Sequence, residues 1–305
     1  MTRASSARGQ ELQGPCARWT GVLGSATVRR MIRGLIGVVH LAPLPGDPSL
    51  GASFDAAIDA AKRDAAALAE GGAAAIIVEN FGSAPFPKGT PEQPTPPHQI
   101  AAITRATLAC AAYGVPVGVN VLRNDVRAAL GIAAATGAAF VRVNVHVGAY
   151  VADQGLIEGR AFETLRYRRS LDADGIQIFA DVRVKHAAPV APLSIATEVE
   201  DTLKRGRADA VIVTGAGTGK PVDEALLTEV RAAAGDAPVL IGSGLSPESA
   251  PRLAPHAEAA IVGTWLKEDG DVRRPVDPAR VRAMADALDA HLRRGAGPGD
   301  RSSAL

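Results

Sequence analysis

Cysteine is almost missing from this chain: its 305 residues include only Cys16 and Cys110. Neither stands at metal-ligand spacing from another ligand, so a disulfide scaffold and a zinc finger are both excluded, and a reducing compartment, the cytoplasm, is expected. Cys110 falls in the apolar helical stretch AITRATLACAAYG and reads as a small core hydrophobe. Aromatic residues make up only 4%, too few to stack a run of bases. Lys+Arg number 33 against 32 Asp+Glu, leaving a net charge of +1 with no basic tract, so nucleic acid is excluded as the main partner. No apolar run approaches the roughly 20 residues of a membrane-spanning helix. The stretch GLIGVVHLAPLPG has the length of a signal-peptide core, but it carries His40 and two prolines and lacks a small-residue cleavage site.

What is present is alternation. From Met31 onward, short apolar runs of strand length alternate with Ala-rich amphipathic stretches of helical period. The runs are GLIGVVHL (34–41), AAIIVEN (74–80), PVGVNVL (116–122), FVRVNVH (140–146), IQIFADV (176–182), DAVIVTG (209–215), PVLIGSG (238–244) and AAIVGTW (259–265). Helices are expected over 55–72, 124–137, 159–171, 195–206 and 222–235, several of them stopping at glycine. Eight such alternations predict a single (β/α)8 TIM barrel of the phosphate-binding type over residues 31–293, with an open doubly wound sheet as the alternative. Residues 1–30 carry five arginines and one acid without periodicity and are expected to be a disordered extension, with a targeting peptide or an upstream start as other readings. Residues 294–305 are expected to form a frayed tail.

A barrel does its chemistry at the carboxyl ends of its strands. Here that ring is polar: His40, Glu79, Asn80, Asn120, Arg123, Asn124, Asn144, His146, Asp181, Arg183, Lys185, His186, Thr214, Ser243 and Thr264. Phosphate is expected on the loops after the seventh and eighth strands. GSGLSPE offers Gly242, Ser243 and Gly244, with Ser246 and Pro247 as helix cap and first helical residue, and VGTWLK adds Gly263 and Thr264. Glycine lets backbone N–H groups approach an anion, and a helix start favours it; the alternative is that these are tight turns only.

FADVRVKHAAP is the most reactive stretch. Strand alternation predicts Asp181, Arg183 and Lys185 on one side, where neighbouring charges tune the lysine as an acid, base or Schiff-base nucleophile; a buried ion pair is the other reading. Asp181, Lys185, Glu79 and His146 are the candidate catalytic residues. Asn80, Asn120, Arg123, Asn144, His186 and Thr214 are candidates for binding substrate. His146, Glu79, Asp181 and His186 also carry donor atoms for a divalent metal, but no H-x-H or H-x-x-x-H pair makes that specific, and no organic cofactor is implied. VTGAGTGKP (213–221) matches neither nucleotide-binding glycine pattern, and its Thr218 and Lys220 line substrate or belong to a loop. The stretches 147–160 and 81–98 are long for barrel loops and are expected over the mouth.

With these phrases assembled, GVVHLAPLPGDP, IVENFGSAPFP, VGVNVLRND, VRVNVHVGAYVADQGLIEGRA, ADVRVKHAAP, VTGAGTGKP, GSGLSPE and IVGTWLK, the chain resembles the BtpA/SgcQ family. The resemblance implies a phosphate-binding barrel beginning near Met31. Its members point two ways: one in cyanobacteria is associated with photosystem I accumulation, and others accompany sugar-metabolism genes. Arg183 stands where the family pattern carries histidine. The expected function is thus an enzyme acting on a phosphorylated sugar or nucleoside metabolite by isomerase, lyase or glycosidic-bond chemistry. A noncatalytic assembly factor and a metabolite sensor are the alternatives, and a homo-oligomer is compatible with all three.

Overall fold

The computed structural model describes residues 31–49, 51–215 and 221–293; both expected tails, Cys16, Thr218 and Lys220 lie outside them. Eight parallel strands close into a barrel: β1 (Gly34–His40), β2 (Ala75–Glu79), β3 (Val117–Asn120), β4 (Phe140–Val143), β7 (Gln177–Val182), β9 (Ala210–Val213), β10 (Val239–Ile241) and β11 (Ala259–Val262). Closure is completed by β1 pairing with β11, Gly34 opposite Ala259. The eight apolar runs contain these eight strands, each run trimmed by one to four residues at its ends.

Period-two alternation divides each strand between two cores. Ile36, Val38, Ile77, Phe140, Phe179, Ile212, Leu240 and Ile261 pack together inside the barrel. Their sequence neighbours, such as Val39, Val78, Val119, Val141 and Ile178, pack with the surrounding helices. Phe140 and Phe179 stack with centroids 4.8 Å apart, and Gly118 makes room for them: a Cβ there would lie 2.2 Å from the Phe140 ring.

The outer layer comprises α1 (Phe54–Glu70), α2 (Pro97–Ala111), α3 (Val126–Thr136), α4 (Ala161–Ser170), α5 (Ile195–Glu200), α6 (Glu224–Ala234), α7 (Ala250–Leu253) and α8 (Pro278–His291). Local signals bound them. Ser53 caps α1 by accepting from the Ala56 N–H. Asp125 caps α3 and also accepts from the Thr95 N–H at 3.0 Å, tying the 81–98 excursion to the barrel. Gly137 ends α3 in the left-handed region that glycine enters without a Cβ penalty. Cys110 is buried on α2 against α1, and burial pushes its thiol up to about 12, consistent with a core role.

Two features were not expected. The stretch 147–160 forms a hairpin, β5 (Ala149–Ala152) and β6 (Gly155–Glu158), to which β8 (Ala187–Pro189) adds a third strand. This small sheet has its own apolar cluster of Val145, Tyr150, Ile157 and Val184. The expected helix 195–206 changes character midway, α5 giving way to a π-helical turn over Asp201–Arg205.

Candidate functional site

The top layer of the barrel continues the inward parity of its strands. After the apolar layer the inward positions, in or just past the strands, are His40, Glu79, Asn120, Arg142 with Asn144, Asp181, Thr214, Gly242 and Gly263, one series from each of the eight strands. A cavity of about 330 Å³ opens there, large enough for a small metabolite. Val38, His40, Glu79, Arg142 and Lys185 form one part of its wall, and Gly242–Ser246 with Gly263–Trp265 form the other. A larger hollow of about 1010 Å³ lies on the outer face among α2, α3 and α4, and Asn124 is the one strand-end candidate on its wall.

Arg142, on that wall, belongs to a buried ion pair whose other member, Asp181, does not line the cavity. Arg142 donates from Nε and Nη2 to the two Asp181 carboxylate oxygens, each at 3.0 Å, and the Asn144 amide donates to Oδ2 at 2.9 Å. Burial works against the Arg142 cation, but Asp181 and then Glu79 outweigh it and hold its pKa above the ordinary guanidinium value. Asn120 donates to the Arg142 carbonyl and to Asn144 Oδ1, extending the network one strand further. Arg142 was not singled out from sequence. The available signal was an arginine at inward parity within an apolar strand, an expense that only a carboxylate at the same depth offsets.

Lys185 reaches the cavity by a detour. Arg183 adopts φ +52°, in the left-handed region that non-glycine residues seldom occupy, and so breaks the expected alternation with Asp181 and Lys185. Its side chain leaves the barrel to pair with Glu198 at 3.3 Å, and Glu198 also accepts from the Tyr150 hydroxyl of β5. Lys185 then turns back to the mouth, its carbonyl accepting from Arg123 Nη2 at 2.6 Å. Burial and the Arg142 cation lower the Lys185 pKa, partly opposed by Glu79 and Asp181. Arg123 is lowered by its own burial, against the pull of Asp181 and Asp153.

Other expected site residues stand elsewhere. His146 is buried outside the cavity, with Nε2 at 2.8 Å from the Gly206 carbonyl at the end of the π turn. His186 is exposed, with φ +57°, and does not line the cavity. Asn80 accepts from the Leu122 N–H at 2.8 Å and donates to the Leu122 carbonyl at 3.4 Å, which commits its amide to the loop after β3. Thr214 lies beneath the seventh loop, its methyl 2.6 Å from where a Gly242 Cβ would stand. Glu79, His146, Asp181 and His186 therefore do not converge as metal ligands, and among the described residues no group of three or more His, Cys, Asp or Glu side chains does.

The glycine loops have packing reasons as well as an open face. Gly242 is required by Ile212 and Thr214, and Gly263 by the His40 ring, 2.5 Å from its absent Cβ; Gly244 adopts φ +70°. Ser243 Oγ accepts from the Gly215 N–H at 3.1 Å, joining the sixth and seventh loops. Helix α7 starts at Ala250 rather than at Pro247. Ser246 to Ser249 instead close a turn through the Ser249 N–H and Oγ, both donating to the Ser246 carbonyl at 3.0 Å.

His40 sits between the glycine loops and Phe81, its ring 4.8 Å from that of Phe81. Burial, with the cations of Lys267, Lys185 and Arg142, pushes its pKa down to about 3 from 6.5. The unfolded chain therefore binds a proton there between pH 6.5 and 3 that the folded chain does not. Stability falls as pH drops through that window, by at most about 1.4 kcal/mol per unit. His146, also lowered by burial, acts in the same direction. Urea unfolding of His40→Asn at pH 6.5 and pH 5 should show a shallower loss than the parent; an identical slope would mean that the His40 ring is solvated.

With this geometry in place, comparison with known proteins places the chain. Residues 31–290 match the BtpA family over the whole barrel. The chain belongs to the BtpA family. Within it, the photosystem I biogenesis protein BtpA of Synechocystis is 46% identical over 255 residues, covering 83% of this chain and 87% of that protein. An uncharacterized protein of Thermococcus kodakarensis is 45% identical over 255 residues, covering 83% and 94%. Among solved structures, KGPDC from Streptococcus mutans superposes with a TM-score of 0.52 at 10% identity, covering 85% of this chain and 99% of that one. That likeness is one of fold, and it agrees with the closed barrel of this BtpA family member. No helix among the described residues is long and apolar enough to cross a membrane.

Proposed function

We propose that this protein is a cytoplasmic enzyme that binds a phosphorylated sugar or nucleoside metabolite at the mouth of the barrel and transforms it by isomerase, lyase or glycosidic-bond chemistry. One observation carries the reading: a single cavity is lined both by the glycine-rich loops after the last two strands and by Glu79, Lys185 and Arg142. In barrels the loops after the seventh and eighth strands are a recurrent phosphate site. Gly242, Ser243, Gly244, Gly263 and Thr264 would hold the phosphate, leaving the rest of the substrate against the charged wall.

On that wall Glu79 and Lys185 would move protons. Arg142, Asp181, Asn144 and Asn120 form a rigid bonded set that positions them. Asp181, with both oxygens engaged by Arg142, acts in this reading as a positioning residue, and His146 takes no part.

A thermal-shift screen of phosphorylated sugars and nucleotides, each paired with its dephosphorylated counterpart, tests the reading. A ligand at 100 times its Kd should add about 2.7 kcal/mol of stability. Stabilisation confined to phosphorylated members is expected, and equal response to both members of every pair would sink the phosphate site. A noncatalytic assembly role is the second reading, favoured by the name of the Synechocystis relative. It predicts partner capture by an outer face that survives substitutions in the cavity.

A further inference from the structure

We propose that the Lys185 Nζ is a nucleophile that forms an imine with the carbonyl carbon of a phosphorylated aldehyde or ketone held in this cavity. The inference rests on the phosphate-site reading and narrows its substrate to a carbonyl compound.

The other cations with little exposure are engaged: Arg142 pairs with Asp181, Lys267 with Asp64 and Arg231 with Glu258, and Arg123 donates to the Lys185 carbonyl. Lys185 reaches the cavity wall without a hydrogen bond or ion pair from its amine among the described residues. A lysine kept there for stability would repay its desolvation with a carboxylate at contact distance, as Lys267 does. Asp181, the acid closest in sequence, is already occupied by Arg142 and Asn144. Among the described residues the amine is therefore left available at a wall where the neighbouring arginines, Arg142 and Arg123, are already engaged.

Arg183 at φ +52° and His186 at φ +57° flank Lys185, and Arg123 clamps the Lys185 carbonyl between them. Two left-handed non-glycine residues within four positions carry a conformational cost that the surrounding structure must offset. Their joint effect is to send Arg183 out to Glu198 and Lys185 in to the mouth. A regular strand continuation would not separate the two cations in this way.

Burial and the Arg142 cation both favour the neutral amine, the form that attacks carbonyls. Glu79 lines the same cavity and provides a separate proton carrier. The Nζ lone pair forms the C–N bond as the carbonyl π pair moves to oxygen. One Nζ proton is carried by Glu79 to that oxygen, giving the carbinolamine. The oxygen then leaves as water with a second proton, again through Glu79, as the remaining N–H bond supplies the C=N pair. The products are an imine and one water, without an oxidant or reductant, and hydrolysis restores the amine. Protonated again on nitrogen through Glu79, the imine accepts the electron pair left on the adjacent carbon, which suits the isomerase and lyase chemistries.

Borohydride trapping of the full chain tests this. The protein is incubated with dihydroxyacetone phosphate, glyceraldehyde 3-phosphate or ribose 5-phosphate, and in parallel with each unphosphorylated counterpart, then reduced and mapped by peptide mass spectrometry. We expect a reduced adduct on Lys185 with at least one phosphorylated probe, in excess over its counterpart and absent from Lys185→Met. Lys185→Arg, whose guanidinium forms no imine, should also lack the adduct while still being stabilised by the same probe through its phosphate. Stabilisation by a probe without an adduct on Lys185 would overturn the imine and leave the phosphate site standing. Adducts spread over surface lysines, or equal labelling by both members of each pair, would overturn it as well. Neither stabilisation nor adduct with any of these probes would overturn both.

Discussion

Truncating Asp181 to alanine is expected to cost about 3–5 kcal/mol of folding stability, because it leaves Arg142 as an uncompensated charge inside the barrel. The two side chains are 0% and 3% exposed. Arg142 cannot escape by giving up its proton, since a guanidinium remains charged under all ordinary conditions. For a barrel of this size the loss corresponds to a fall in Tm on the order of 10 °C. Urea denaturation with an unchanged m value would measure it. Replacing both partners, Arg142→Met with Asp181→Leu, should recover part of the stability, because neither member of the pair is then left as an uncompensated charge. A loss under 1 kcal/mol in Asp181→Ala would mean that water reaches the pair and that the wall is not the rigid element described.

Gly244→Asp should abolish the stabilisation that a phosphorylated ligand confers. At 100 times Kd that stabilisation is about 2.7 kcal/mol for the parent, and it should fall close to zero in the variant. Gly244 lies at φ +70° in the loop that lines the cavity beside Ser243 and Leu245. Aspartate and asparagine tolerate that backbone better than other side chains, so the comparison of Gly244→Asp with Gly244→Asn isolates charge from strain. The asparagine variant should keep a measurable part of the response. Equal ligand responses in parent and aspartate variant would move the phosphate away from the seventh loop.

Legibility from sequence followed the range of the interactions. Strand positions were readable because each apolar run is buried on both faces, inside against Phe140 and Phe179 and outside against the helices. Polar residues at strand ends were readable for the same reason: parity carries His40, Glu79, Asn120, Asn144 and Asp181 inward as a continuation of the strand. Parity failed where the strand stopped being a strand. Arg183 left the series through a left-handed residue, and His146 was drawn off by the Gly206 carbonyl. Neither event has a local sequence signal, because the partners Glu198 and Gly206 lie 15 and 60 residues away. The helix after β10 began three residues late because Ser246 spends its carbonyl on closing a turn with Ser249.

While the pairing of β1 with β11 decided closure over an open sheet, the sequence by itself determined eight strand–helix alternations, their polar rim and the two glycine loops. These follow from periodicity, burial and backbone freedom, all of which act over a few residues. Only the tertiary structure decided which rim residues meet. It joined Arg142 to Asp181, removed His146 and Arg183 from the mouth, and brought the Lys185 amine to the same wall as Glu79. Those outcomes depend on distances between side chains of different strands, which are set by barrel closure and register rather than by any stretch of chain alone.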